Sequence, residues 1–364
     1  MIGSIQKNLL SGVSYTLIAG TVMTGLALGN AAKAADIDEV SLSVVGSWSS
    51  LPLYKQYEAP FWTKTLPEDS GGKITVSMTT FNQMGIKGGD VYRLLGDGVF
   101  DVGMTVADYT VGDAPELEGL DVPLVATNPA DARKMVAAAR PMVEDIMKDR
   151  FGSKLLAIAP YPPQVVFCKP KITSLADLKG KKIRASGRMT AKFLEALGAE
   201  GVTLSFSEVP GALERGVIDC AITGSGSGYS AGWWESSDYL MTLPLGGWDS
   251  VVTAINMDKW DGLSKATQDF IQTEIKTKFE EPAWNSAANA LEGDIACLTG
   301  SGKCAAGKSA SMKLVKPSAE DVAIATKVLQ EKVLPDWAKR AGVKWVKRWN
   351  ASVGKAVGIQ VGLE

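Results

Sequence analysis

Residues 174–223 read SLADLKGKKIRASGRMTAKFLEALGAEGVTLSFSEVPGALERGVIDCAIT. Three times in this stretch a helical run is bracketed by a capping residue or a glycine stop, and each time a β-rich run follows. Ser174 caps a short helix that Gly180 ends before the strand Lys181–Ala185. Thr190–Leu197 is a helix stopped by Gly198, with Val202–Phe206 as the next strand. Ser207 caps a third helix, which Gly216 ends before the strand Val217–Thr223. Such alternation predicts an α/β unit on a mainly parallel sheet.

The alternation extends outward in both directions. Upstream, Val40–Val45, Lys73–Thr79 and Phe100–Thr105 read as strands, with helices over Pro52–Thr65 and Gly89–Gly96. Asn128 caps a long amphipathic helix that runs to Arg150, and Pro129 occupies its first turn, where a missing N–H is harmless. Lys154–Ala159 and Gln164–Lys169 read as the crossover from this first lobe to a second, and Ser250–Asn256 as the crossing back. A helical stretch covers Ser264–Ala296, with Pro282 expected to kink or break it. A Gly/Ser/Lys-rich loop leads to Lys316, and Ser318 with Asp321 starts a last long helix ending near Leu334 and Pro335. There is no internal repeat and no heptad run.

The N-terminus stands apart. Lys7, the apolar stretch Leu17–Leu28 and the small-x-small sequence Ala32-Lys33-Ala34 form a signal-peptide pattern over Met1–Ala34. The apolar stretch contains Gly20, Thr21, Thr24 and Gly25 and falls short of the roughly 20 residues a spanning helix needs. Removing Lys7 and Lys33 with the leader leaves 36 basic against 40 acidic residues, a balance that calls for neither nucleic acid nor an anionic membrane. The remaining chain, about 330 residues, suits two lobes better than one core.

The chain has no histidine. Ser-His-Asp and Cys-His nucleophilic catalysis and imidazole metal ligation are excluded together. Only an exported enzyme using Asp, Glu or Lys survives, and no paired-carboxylate motif supports one. No metal or cofactor is expected. Cys297 and Cys304 bracket a flexible segment and predict a local disulfide; Cys168 and Cys220 read either as a cross-strand bridge or as two buried thiols.

Ligands of open α/β sheets bind beyond the carboxyl ends of the strands, which selects residues 45–50, 105–109, 184–188 and 223–228. Arg184 ends an otherwise apolar strand, so its guanidinium meets either a bound carboxylate or a structural acid. Gly224, Gly226 and Gly228 have partial dinucleotide spacing but lie mid-chain rather than in a first βα turn; they read as room for a tight turn or a close-lying ligand. Trp48, Trp248, Tyr109 and Tyr161 fall near the strand ends, as pocket lining or as packing, whereas Trp62, Trp284, Trp337 and Trp345 read as core.

With these residues in view, the chain resembles the periplasmic solute-binding subunits of tripartite ATP-independent periplasmic (TRAP) transporters. The likeness covers nearly all of the chain after the leader. It is carried by LADLKGKKIR at 175–184, FLEALGA at 193–199 and ALERGVID at 212–219. LGDGVFDVG at 95–103, the stretch Pro115–Pro123, and Asn256 with Trp260 and Leu263 support it.

The resemblance implies an α/β two-lobed periplasmic binding protein, type II-like, with crossing strands and a long hinge-spanning helix. Lobe I would take 35–161 and about 249–288, lobe II 162–248 and about 289–364. Arg184 would be the main carboxylate ligand, with Arg188 next in line. A second arginine frequent in the family falls at Gln164, polar residues of sialic-acid-binding members fall near Val106 and Tyr109, and a usual Glu-Asn becomes Ile222-Thr223. These departures predict one carboxylate on an apolar or aromatic body, as in a 2-oxo or 2-hydroxy monocarboxylate. Its extra oxygen would meet Gln164 or the amides after Thr223; a C4-dicarboxylate is the alternative. The implied partners are that small organic acid and the small and large membrane subunits, and the implied location is the periplasm.

Overall fold

The computed structural model describes residues 37–362, and the leader expected over Met1–Ala34 lies outside the described residues. In chain order a first sheet takes β1 (Val40–Gly46), β2 (Ile74–Thr80), β3 (Val102–Val106) and β4 (Ser153–Ala159). A second is then built from β5 (Gln164–Cys168), β6 (Lys182–Ala185), β7 (Glu200–Thr203), β8 (Cys220–Gly224) and β9 (Tyr239–Met241). The chain returns to the first sheet as β10 (Val251–Asn256) and later adds β11 (Lys313–Val315) to the second. The spatial orders are β2-β1-β3-β10-β4 and β11-β9-β5-β8-β6-β7.

Both sheets are mixed, where the sequence predicted mainly parallel ones. β10 runs antiparallel between β3 and β4, and β5 antiparallel between β8 and β9. Both are crossing strands, which enter their sheet from the end facing the other lobe and so run against the strands made locally. β3, β5, β8 and β10 are buried along their whole length, which accounts for their continuous apolar character. The strand expected at Val202–Phe206 forms at Glu200–Thr203. The cap expected of Ser207 is made by Ser205, whose side chain closes a capping box with Glu208. β11 lies in the segment read as loop.

Cys168 faces Cys220 across the β5–β8 ladder, and both cysteine pairs, Cys168–Cys220 and Cys297–Cys304, are bridged.

Prolines do not break the long helices. Tyr54–Glu58, Phe61–Thr65, Ile275–Glu280 and Leu329–Val333 are π-helical turns, and each ends two residues before a proline: Pro60, Pro67, Pro282 and Pro335. A proline lacks the amide for the carbonyl four residues back and crowds that carbonyl; slipping one register to i→i+5 bonding relieves both. Helical structure therefore continues through Pro282 from Lys265 to Thr299, about 50 Å at 1.5 Å per residue. The last helix likewise passes Pro335 and ends at Ala341.

The Lys265–Thr299 helix touches both sheets. Gln272 Nε2 donates to the carbonyl of Leu156, Trp284 Nε1 donates to that of Ile158, and Glu280 accepts from the Ile158 amide, all on β4. Further along, Asp294 accepts from Ser225 beside β8. The two segments that cross between the sheets are tied to each other: Tyr161 N donates to Trp248 O and Gln164 N to Gly247 O. The C-terminal segment, expected in the second lobe, divides. Leu329–Val333 packs on the helix Arg188–Ala196, whereas Trp337 and Trp349 donate to Pro115 O and Gly119 O on the first-lobe side, where Arg340 pairs with Glu118. Among the described residues no helix is long and apolar enough to cross a membrane.

Candidate functional site

A cleft of about 900 Å³ opens between the carboxyl ends of the two sheets. The first sheet contributes Trp48 after β1, Phe81 after β2, and Asp108 and Tyr109 after β3. The second contributes Arg184–Arg188 around the end of β6 and Thr203–Glu208 after β7. This is where strand-end logic places a ligand.

Arg184 is 2% exposed. Its Nε donates to Leu204 O at 3.2 Å and its Nη1 to Ile222 O at 2.8 Å, and its guanidinium lies over Trp233 at 5.8 Å. Two main-chain carbonyls therefore aim the fork. Among the described residues Arg184 makes no salt bridge, although a buried charge ordinarily requires one. Arg188 lies at the rim, exposed, in the first turn of the helix Arg188–Ala196.

An aromatic wall spans the cleft. Trp48 meets Phe81 edge-on at 4.8 Å and Phe206 from the opposite lobe at 5.5 Å, and its Nε1 donates to Tyr109 Oη at 3.2 Å. Phe206 in turn packs on Trp233 at 5.1 Å. Phe81 and Phe206 escaped the sequence reading; Phe81 directly follows β2 and Phe206 opens the turn after β7, strand-end positions comparable to the one that drew attention to Trp48.

Other expected residues lie elsewhere. Trp248 is fully buried in the hinge, stacked on Trp284 at 6.0 Å and donating to Ala126 O. Tyr161 is buried with its hydroxyl 3.1 Å from Ser47 Oγ. Thr223 is buried within β8, and neither it nor Gln164 lines the cleft. Gln164 is instead turned inward, its Nε2 donating to Asp121 at 3.1 Å and Asp249 at 2.8 Å. The glycine run Gly224–Gly228 opens the short helix Ser225–Ser230; a Cβ at Gly228 would meet the Phe167 ring at 2.4 Å, so that glycine serves packing.

The feature that sequence reasoning missed is acidic. Asp108, Asp121 and Asp249 are all buried, and one carboxylate oxygen from each lies within 4.8 Å of the others. Burial pushes the Asp108 and Asp121 carboxyls far above the usual carboxylate range, and their acidic neighbours push further. Burial also raises Asp249, to about 7, against the opposing pull of Arg184. Asp121 is used structurally, accepting from the Asp249 amide, and Asp249 itself has a positive φ of 39°. Asp108 differs: it lines the cleft, and neither of its carboxylate oxygens has a hydrogen-bond partner. The available signal was the one that singled out Arg184, a lone charge in the apolar runs at 102–111 and 243–256.

The family profile described as bacterial extracellular solute-binding protein, family 7, matches residues 48–298, more than half of the chain. The chain belongs to that family. It is therefore a solute-binding protein and not an enzyme. Among curated proteins, the ectoine-binding periplasmic protein TeaA of Halomonas elongata is 34% identical over 122 residues, 33% of this chain and 36% of the relative. The match thus spans about a third of that relative's length. An extracytoplasmic solute receptor of Bordetella pertussis that binds pyroglutamic acid is 21% identical, covering 88% of this chain and 99% of the other, with a TM-score of 0.76. A TRAP periplasmic solute-binding protein of Desulfovibrio salexigens with bound orotic acid is 18% identical over 87% of this chain and 98% of the other, with a TM-score of 0.75. These likenesses establish the two-lobed fold of family 7.

Proposed function

We propose that this protein is the periplasmic binding subunit of a TRAP transporter, whose lobes, 35–161 with about 249–288 and 162–248 with the chain from about 289 to 333, the segment after it returning to the first-lobe side, close on a small organic acid for delivery to small and large membrane subunits. The observation that carries this reading is Arg184: buried, braced by two carbonyls and, among the described residues, in no salt bridge. A carboxylate entering the cleft completes its coordination by a charge-assisted bidentate contact. The structurally similar proteins include ones with bound pyroglutamate, orotate and succinate, all organic acids, which supports the same chemistry here.

The wall of Trp48, Phe81, Tyr109 and Phe206 suits one carboxylate on an apolar or aromatic body. The group beside that carboxylate, an oxygen as in a 2-oxo or 2-hydroxy acid or else a nitrogen, meets Asp108 rather than Gln164 or Thr223. A C4-dicarboxylate is the second reading, because Arg188 stands at the rim to receive a second anion. A thermal-shift screen of organic acids tests both: aryl and branched monocarboxylates are expected to raise the melting temperature more than succinate, malate or fumarate. Stabilisation by C4-dicarboxylates alone would transfer the assignment to the second reading.

A further inference from the structure

We infer that the cleft recognises a zwitterion, with the ligand's carboxylate on Arg184 and an ammonium, amidinium or other nitrogen cation beside it on Asp108; this rests on the reading of Arg184 given above. Two buried ionisable side chains, Arg184 and Asp108, line the same cavity with no salt bridge between them. Asp108 is 3% exposed and both its carboxylate oxygens lack a donor. Arg184 makes no salt bridge among the described residues, and no salt bridge there includes Asp108.

The surrounding charges favour a cation at Asp108. Asp249, Asp121 and Glu118 stand behind or beside it, and the cations acting on it are Arg184 and Arg340. Arg340 is committed to Glu118 and Asp336. Once a ligand carboxylate occupies Arg184, that guanidinium no longer offsets the acids. An uncharged acid would leave the floor of the cleft with an uncompensated negative charge or force protons onto it, and both weaken binding. A nitrogen cation supplies a donor to the Asp108 carboxylate and offsets the charge in one group. The aromatic rings of Trp48, Phe81, Tyr109 and Phe206 around the same space also accept a cation against their faces.

The test uses the purified protein and matched sets of acids sharing one carbon skeleton, offered with an amino or amidino group, with a hydroxyl, and with neither. Binding is measured by thermal shift and calorimetry, each set repeated with calcium chloride and with EDTA. The expected result is a preference of about tenfold or more for the cationic member, independent of calcium. Asp108→Asn should abolish that preference, the cationic member losing about tenfold or more affinity relative to the uncharged ones. Equal or tighter binding of uncharged acids by the wild type, or a preference that survives in Asp108→Asn, would overturn the inference. So would a preference present only with calcium, which would assign the three acids to a metal ion. Failure of every acid, with or without a cation, would strike the role of Arg184 itself and remove both readings together.

Discussion

The Asp108 carboxylate lies directly against Gly187: a Cβ at Gly187 would fall 1.2 Å from Asp108 Oδ2 and 2.1 Å from its Cγ. Asp108 follows β3 of the first sheet, and Gly187 precedes the helix Arg188–Ala196 of the second. The pair is a point of direct contact between the lobes, and it is close enough to exclude any side chain at 187. Gly187 is extended, with φ −145°, so what requires glycine is the approach and not the backbone angle.

Gly187→Ala should therefore fold normally but fail to close. Ligand affinity is expected to fall about tenfold or more, since the contacts of one lobe are lost from the complex. Small-angle scattering should show ligand compacting the wild type but not the variant. Equal compaction in both would mean that the two residues separate during binding.

Removal of Trp48 should act on affinity and not on the fold. Its ring bridges Phe81 of the first lobe and Phe206 of the second, and aromatic contacts of this kind contribute about 0.5–1.5 kcal/mol beyond their buried area. Calorimetry should find Trp48→Ala about tenfold weaker for acids with an aromatic or branched body and less affected for the smallest ones. A uniform loss across all acids would indicate a general role in closure.

Glu58 makes stability depend on pH. Its side chain is fully buried, Oε2 accepting from Ser47 N at 2.8 Å and Oε1 unpartnered, and burial pushes its carboxyl from 4.5 up to about 7. The folded protein thus holds a proton that the unfolded chain has released between those values. The contribution of this group to stability is full at pH 4.5 and below, declines as the pH rises, and is lost above about 7. Glu58→Gln should be the more stable protein at pH 8 and lose that advantage towards pH 5, as read by urea denaturation. Parallel pH profiles for the two proteins would show that Glu58 does not titrate in this range.

The disulfides should differ in weight. Cys168–Cys220 closes a separation of 52 residues and Cys297–Cys304 one of 7, so loop-closure entropy assigns about 4 kcal/mol to the first and about 2.5 kcal/mol to the second. Replacing each pair by alanine and measuring denaturant midpoints should reproduce that order. The reverse order would mean that the local bridge holds the Lys265–Thr299 helix to β11 more firmly than chain entropy suggests.

Much of the fold was legible because its punctuation is local. Ser174, Asn128 and Ser318 cap helices where they were expected, and Gly180, Gly198 and Gly216 stop the chain at positive φ. The π turns were not legible, because a proline inside an apolar periodicity signals a break and the slipped register that avoids it has no sequence mark of its own. Three-residue strands such as β9 and β11 carry too few side chains for a period. Arg184 stood out as a charge at the end of an apolar strand. Asp108, Asp121 and Asp249 stand apart in sequence and meet only through the crossing segments, so their convergence required the fold. Gln164 was read as facing the ligand, whereas the acids behind it turn its amide inward.

Arg184 is the centre of this account, and isothermal titration of the wild type and Arg184→Ala with the most stabilising acid tests it most directly. A buried charge contact of this type carries about 2–5 kcal/mol, so the variant should lose roughly a hundredfold or more in affinity while its far-ultraviolet circular dichroism is unchanged. A correctly folded Arg184→Ala protein that binds the acid as tightly as the wild type would contradict the account and move the anion site to Arg188 or elsewhere.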